Sequence, residues 1–309
     1  CNAFLGGVAK NYQSNVIVNP KSSVMVVEAD EFDRSFLQLH PNMAVITSLD
    51  ADHLDVYNNE KSIHKAFEEF IGRLPEQGVL LYHHKVPIGE EATKNLQSYT
   101  YSLQAEADFY PANLTISEGK YRFDLVTPRE TLHGFSLPLP GLVNVENALA
   151  ALSLAYLQGI ERESLFKNLN TFQGIERRLD IQFQKNKLLY IDDYAHHPTE
   201  LAYTIRSVRE FYPNRRITGI FQPHLFSRTQ YFAREFAQSL EMLDELILLD
   251  IYPAREEPIE GVSSQLILNH IQNTPAVLTS KKELMNVLSN RYIETLMTLG
   301  AGDIDQMVG

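Results

Sequence analysis

Short, continuous apolar runs alternate with helix-period patterns along almost the whole chain. VMVVE (Val24 to Glu28), MAVITS (Met43 to Ser48) and GVLLY (Gly78 to Tyr82) are bounded by polar residues and lack the in–out alternation of a half-solvated strand. They therefore predict buried parallel strands. Between Ser62 and Leu74 the apolar positions Ile63, Phe67 and Phe70 fall on one helical face. The stretch from Tyr101 to Pro140 has more turns and more alternation, and predicts a small antiparallel layer. Asn144 to Leu157 is dense in alanine and leucine with an asparagine available as cap, which predicts a long helix, and a shorter helix follows around Leu165 to Leu169. The segment Phe172 to Leu179 reads as a domain boundary.

Beyond it the alternation becomes regular. Strands are predicted over 187–191, 217–221, 245–249, 276–278 and 294–299, with helices over 200–210, 230–243, 264–271 and 282–288 between them. Such a pattern specifies a doubly wound α/β sheet, whose ligands sit outside the carboxyl ends of the strands. The polar clusters of this sequence lie at those ends.

The 309 residues suffice for two domains, and 44% hydrophobic with 21% charged residues is a globular composition. A formal net charge of -12 argues against partners held by nonspecific attraction to anions, so neither nucleic acid nor an anionic membrane surface is expected. No apolar run has the length of a membrane helix, and the first residues carry no charged leader with an apolar stretch. A single cysteine, Cys1, leaves no internal disulfide and fits a cytoplasmic protein. Opening on Cys-Asn-Ala without methionine, the chain reads as a piece of something longer.

Four clusters carry candidate chemistry. Glu28 closes one predicted strand and is followed by Asp30, Glu31 and Asp33; at the next strand end come Asp50, Asp52, His53 and Asp55. Two neighbouring strand ends would thus present carboxylates and an imidazole at one edge of a sheet. Hard oxygen donors suit Mg²⁺, and the added imidazole also suits zinc or manganese; two solvated acidic loops fit the same residues. The second cluster, Asp192-Asp193-Tyr194-Ala195-His196-His197-Pro198, leaves a strand and opens a helix, where free N–H groups favour an anion and Asp193 and His196 could orient a nucleotide or a proton. In the third, His224 and Arg228 stand four residues apart at another strand-to-helix turn, and arginine grips a carboxylate in bidentate fashion. The fourth, Gly300-Ala301-Gly302-Asp303, could admit a phosphate but reads better as a plain turn. The sequence contains no G-x-x-x-x-G-K-[ST] loop and no G-x-S-x-G elbow, and its one cysteine is terminal, so P-loop, serine-hydrolase and cysteine-protease chemistry have no motif here.

Taken in order, EADEFDRSFL, ITSLDADHLD, LPGLVNVENALAAL, GIERRLD, DDYAHHPTE, FQPHLFSRT, IYPAREEPIEGV and GAGDI resemble the Mur ligase family over essentially the whole chain, most closely its alanine-adding branch. The resemblance implies a partial central ATPase domain over 1–176, without its P-loop, followed by a Rossmann-like amino-acid-binding domain over 177–309. It implies ATP and Mg²⁺ as cofactors, and UDP-N-acetylmuramate and L-alanine as substrates of an amide-forming reaction through an acyl phosphate. By the same resemblance Glu28 and His53 hold Mg²⁺, Asn144 and Asn147 contact adenine, and Arg178, Asp193 and His196 lie at the nucleotide. Catalysis falls to Glu28, His53 and Arg178. Tyr194, His224 and Arg228 receive the amino acid. Val143 and Leu225 depart from residues that members often carry, a histidine before the adenine motif and an arginine after QPH, while Phe67, where some branches carry a carbamylated lysine, agrees with the alanine-adding branch, which lacks it. The chain by itself is expected to be inactive. Rival readings are a murein tripeptide ligase or folylpolyglutamate synthetase relative and, from other classes, a metal-dependent hydrolase using His53 with His196, or a non-catalytic module.

Overall fold

A computed structural model describes residues 1–31, 34–49, 60–185 and 187–308. The chain divides into two compact units. The first comprises 1–138 with 142–173, and the second 139–141 with 174–309.

The first unit opens with β1 (Asn2–Ala9), β2 (Ser14–Ile17) and β3 (Met25–Val27), a three-stranded sheet in the order β2-β1-β3. Its second sheet holds β4 (Met43–Ile46), β5 (Val79–His83) and β6 (Gln97–Tyr101), all parallel, with α1 (Glu60–Ile71) between β4 and β5 and the single turn α2 (Glu90–Thr93) before β6. A core of Phe36, Ile46, Ile63, Ala66, Phe70 and Leu80 closes under α1, all buried. Then come the antiparallel meander β7 (Tyr110–Ser117), β8 (Lys120–Val126) and β9 (Thr131–Leu137), and the helices α3 (Leu142–Leu157) and α4 (Arg162–Asn170).

Two sequence expectations change here. VMVVE does run parallel to its neighbour, but as an edge strand, with Met25 64% and Val26 48% exposed. An unbroken apolar run fixes that neither face is polar; it cannot say whether either face is covered. In addition, β3 and β4 belong to different sheets, so the strand ends at Glu28 and Ser48 are not adjacent rungs of one ladder.

The second unit is a six-stranded sheet of β10 (Asp180–Lys185), β11 (Leu188–Asp193), β12 (Ile217–Phe221), β13 (Glu245–Leu249), β14 (Ala276–Thr279) and β15 (Thr295–Leu299). The order is β10-β11-β15-β12-β13-β14, with only β10 antiparallel. Helices α5 (Pro198–Phe211), α6 (Phe226–Leu240), α7 (Gln265–Leu268) and α8 (Lys281–Ser289) connect the strands. All five residues of β12 are buried, as the continuous apolar runs require of parallel strands covered on both faces. The sequence pattern anticipated these five parallel strands and missed the edge strand β10. No helix of the described residues is long and apolar enough to cross a membrane.

Phe236 of α6 is fully buried and packs its ring 5.3 Å from that of Phe221. Phe236→Ala should lower the unfolding free energy of this unit by about 3–5 kcal/mol. Tyr231→Ala on the same helix, at a residue 79% exposed, should stay within about 0.5 kcal/mol. Urea melts of the two variants test the difference.

Candidate active site

Parallel register brings three strand ends of the second unit to one level. Asp193 pairs with Leu299 on one side of β15 and Phe221 pairs with Leu299 on the other. The segments beginning at Tyr194, Gln222 and Gly300 therefore leave the sheet side by side, although more than a hundred residues separate the first from the last.

The first segment is pinned by aspartates. Asp193 is 7% exposed, and its carboxylate accepts hydrogen bonds from the Leu179 N–H at 2.6 Å, the Ala195 N–H at 2.8 Å and the Thr204 hydroxyl at 3.2 Å. With both oxygens engaged by protein donors, its role in this geometry is to brace the turn. Asp192, 2% exposed, accepts from the Thr298 hydroxyl and faces Arg177 Nε at 3.4 Å. Burial raises its carboxyl against that hydroxyl and that guanidinium. Past the turn, His197 caps α5: its ring accepts the Thr199 N–H, Glu200 reaches back to the His197 N–H at 3.1 Å, and Pro198 takes the first helical position. His196 is fixed by Glu200 as well, through its own N–H at 2.9 Å, while its Nδ1 lies 3.0 Å from the Tyr194 carbonyl.

Of the two adjacent arginines, sequence reasoning chose Arg178, which is exposed; through its charge it favours the ionised Asp193. Arg177 is the more deeply connected. Its backbone adopts φ 60°, its guanidinium donates to the Gly300 carbonyl at 2.6 Å and the Gly302 carbonyl at 3.2 Å, and it lies 5.0 Å over the Tyr194 ring. A repeated Arg-Arg gives no sign of which member turns inward.

The second segment turns on Leu225, held at φ 71°, ψ 137°, a conformation that costs a non-glycine residue about 1–3 kcal/mol. Its N–H donates to the Tyr252 carbonyl at 3.0 Å, and the Tyr252 N–H donates to the Pro223 carbonyl at 2.8 Å. Glu256 accepts the Ser227 N–H at 3.0 Å and the Ser227 hydroxyl, so an anion from the loop after β13 caps α6. Arg228 Nη1 stands 3.5 Å from His224 Nδ1. Because arginine can only donate, that nitrogen is the acceptor and a neutral His224 keeps its proton on Nε2. Burial, then the Arg228 and His196 charges, hold His224 below the usual histidine range. Among the described residues Arg228 forms no ion pair with a carboxylate.

The third segment requires glycine. Gly300 sits at φ +138°, and a Cβ there would come 2.5 Å from the Gln222 carbonyl oxygen. The sequence reading of this stretch as a turn holds, since both Gly300 and Gly302 offer their carbonyls to Arg177.

In the first unit Asn144 and Asn147 lie one turn apart near the start of α3, half-buried and exposed respectively. Between them, Glu146 pairs with His83 Nε2 at 2.9 Å, and the His83 ring packs edge-on against Tyr101 at 5.5 Å. Neither His83 nor Glu146 was singled out from sequence, because the pair joins β5 to α3 across more than sixty residues. Glu28 is exposed, and its Oε2 accepts the Gly6 N–H at 2.6 Å. A Cβ on Gly6 would lie 2.5 Å from Oε1 and 2.7 Å from Oε2, so a larger residue there would displace the carboxylate from this position. An exposed, oriented carboxylate fits a hard cation such as Mg²⁺. His53, with Asp33, Asp50, Asp52 and Asp55, lies outside the described residues.

A Rossmann-like unit that gathers a guanidinium, two imidazoles and a tyrosine at the carboxyl edge of its parallel sheet belongs to the class of doubly wound α/β proteins, whose ligands bind at that edge. The family can be stated. Residues 9–155 match the Mur ligase middle domain and residues 177–302 match the Mur ligase glutamate ligase domain; the chain belongs to the Mur ligase family. It is 47% identical over 308 residues to UDP-N-acetylmuramate–L-alanine ligase of Parabacteroides distasonis, covering 100% of this chain and 67% of that protein. Against the enzyme of the same name from Porphyromonas gingivalis it is 46% identical over 310 residues, covering 100% and 68%. The crystal structure of UDP-N-acetylmuramate-alanine ligase from Thermotoga maritima superposes with a TM-score of 0.81 at 25% identity, covering 99% of this chain and 66% of that one. The chain thus spans about two thirds of the length of these relatives.

Burial pushes the Asp193 carboxyl up to about 6, against hydrogen bonds from Leu179, Ala195 and Thr204 and the charge of Arg178. An unfolded aspartate releases its proton near 3.8, so the folded state alone holds a proton from there to about 6. This group's contribution to stability therefore falls as pH rises across that window, by up to ~3 kcal/mol, and is constant above it. Urea melts from pH 4 to pH 7 should show that slope in the wild type relative to Asp193→Asn.

Proposed function

We propose that this chain supplies the ATP-using and amino-acid-binding parts of a ligase that joins L-alanine to the lactyl carboxylate of UDP-N-acetylmuramate in peptidoglycan synthesis. The observation that carries this reading within the molecule is Arg228: a half-buried guanidinium with no carboxylate partner among the described residues, set beside His224. An amino acid's carboxylate is the ligand that geometry suits. Identity of 46–47% to alanine ligases along the whole chain supports alanine over a tripeptide or glutamate as the incoming amine.

The reaction phosphorylates the lactyl carboxylate with ATP, and the amine of alanine then displaces phosphate from the acyl phosphate. No protein nucleophile is needed; accurate placement and charge neutralisation lower the barrier. Arg228 clamps the alanine carboxylate, and Tyr194 and His224 shape the corner around it. His224, whose Nδ1 accepts from Arg228, orients that guanidinium toward the incoming carboxylate. Asn144 and Asn147, one turn apart on α3, would read the adenine edge. Mg²⁺, when bound by Glu28 and His53, neutralises phosphate charge. The Gly6 N–H, which donates to Glu28 Oε2 at 2.6 Å, orients that carboxylate.

Tests belong in the chain extended to the full length of its relatives, with ADP release as the readout. L-alanine should support turnover where murein tripeptide and glutamate do not; turnover with either of those instead would reverse the assignment. Arg228→Met should raise KM for alanine about 10- to 100-fold, the cost of losing a hydrogen-bonded charge pair. Glu28→Gln should lower kcat about 10²-fold, with little change in melting temperature. A melting loss comparable to that of a core truncation would make Glu28 structural.

A further inference from the structure

Six side chains of the second unit form a continuous file of ring and cation contacts. Arg177 lies 5.0 Å over Tyr194, and the Tyr194 ring meets His196 at 5.1 Å. His196 meets His224 edge-on at 6.0 Å, and His224 stacks on Tyr252 at 5.8 Å with 17° between the planes. Lys281 Nζ then stands 5.8 Å over the far end of the file, the Tyr252 ring. Both terminal cations are tied to the same turn after β15: Arg177 to the carbonyls of Gly300 and Gly302, and Lys281 to Asp303. Gln222, 2% exposed, donates to Asp303 at 3.2 Å and so holds that carboxylate toward the sheet. The file is closed into a ring by the Gly300–Asp303 turn.

We infer that Tyr252 and Lys281 are positioning residues for the His224 imidazole, fixing its plane beside Arg228 in the amino-acid corner. The inference deepens the ligase reading above and rests on it for its meaning in catalysis. Three features of the geometry support it. An imidazole joined to the chain by two rotatable bonds has no fixed plane of its own, and near-parallel stacking on Tyr252 supplies one. The Tyr252 backbone also bridges both sides of the strained Leu225 turn, so the residue that orients the ring also holds the backbone that delivers it. A cation over the Tyr252 ring favours the ring in that place. Lys281 in turn is oriented by Asp303, whose carboxyl burial would raise but which Lys281 and Gln222 bring below its ordinary value.

The experiment has two arms. In the first, histidine-labelled wild-type chain, Tyr252→Phe, Tyr252→Ala and Lys281→Met are compared by NMR. Tyr252→Phe should keep the ring-current-shifted His224 signals and the contact to His196. Tyr252→Ala should lose both, and Lys281→Met should broaden or shift them while Lys281→Arg restores them. In the second arm, the chain extended to its relatives' length is assayed for alanine-dependent ADP release. There Tyr252→Ala should lower kcat/KM for alanine about 10- to 100-fold, as misplacement of a reacting group does, with Tyr252→Phe near wild type and thermal unfolding of both folded variants close to the parent. Unchanged His224 signals in Tyr252→Ala and Lys281→Met would overturn the inference whatever the assay gives. Absence of alanine-dependent release in the wild type would instead sink the ligase reading, while the NMR arm still judged the stack. Should Tyr252→Ala fail to fold, Lys281→Met, at a half-exposed surface position, carries the same test.

Discussion

The second unit depends on the register that places β15 between β11 and β12. Although β15 is the last strand in sequence, its parallel ladders with both neighbours let Asp193, Phe221 and Leu299 end their strands at one height, and the contacts between the loops that leave these strands follow from it. Arg177 finds the Gly300 and Gly302 carbonyls because the last strand ends beside the first. Tyr252 finds His224 because the loop after β13 leaves next to the loop after β12. A slip of one residue along β15 would reverse which of its side chains face each side of the sheet and carry the glycine turn out of reach of Arg177.

Strain gathers where the chain enters and leaves these strands. Arg177 and Leu225 both hold positive φ, and Leu179 does so within the same short entry segment. Such backbone persists only where the surroundings over-determine it. At Leu225 the determination is visible: two backbone hydrogen bonds with Tyr252, the Thr229 N–H and hydroxyl on its carbonyl, and Glu256 on the helix start behind it. The same bonds that fix the turn fix the ring beside it, so backbone and side-chain order are one property of this corner.

This explains what the sequence could and could not disclose. Parallel strands buried on both faces leave unbroken apolar runs, and β11, β12, β13 and β15 were legible for that reason, while the half-buried edge strand β14 was placed by the alternation with helices. The edge strand β10, with only Asp180 fully buried, leaves no such run. Met25 and Val26 show the converse error, because an apolar run on an edge strand looks the same as a buried one. Among site residues, Tyr194, His196, His224 and Arg228 announced themselves by sitting at strand ends. Arg177 did not, since a left-handed residue breaks the alternation by which one would guess its direction. Tyr252, Lys281 and the His83–Glu146 pair are joined by long-range pairing alone, and nothing local in their sequence marks them.

The electrostatic balance of the corner follows from burial more than from composition. A chain with net charge -12 gathers Arg177, Arg228 and Lys281 at one sheet edge, and it can do so because carboxylates already hold two of the three. Asp192 and Asp305 face Arg177, and Asp303 takes Lys281. These pairs spend their charge on each other and act as struts. Arg228 is left half-buried beside the weak acceptor His224, and the Glu256 carboxylate, although it feels the Arg228 charge, is committed to Ser227. A small carboxylate entering the corner would meet Arg228 in a frame where carboxylates already pair with Arg177 and Lys281.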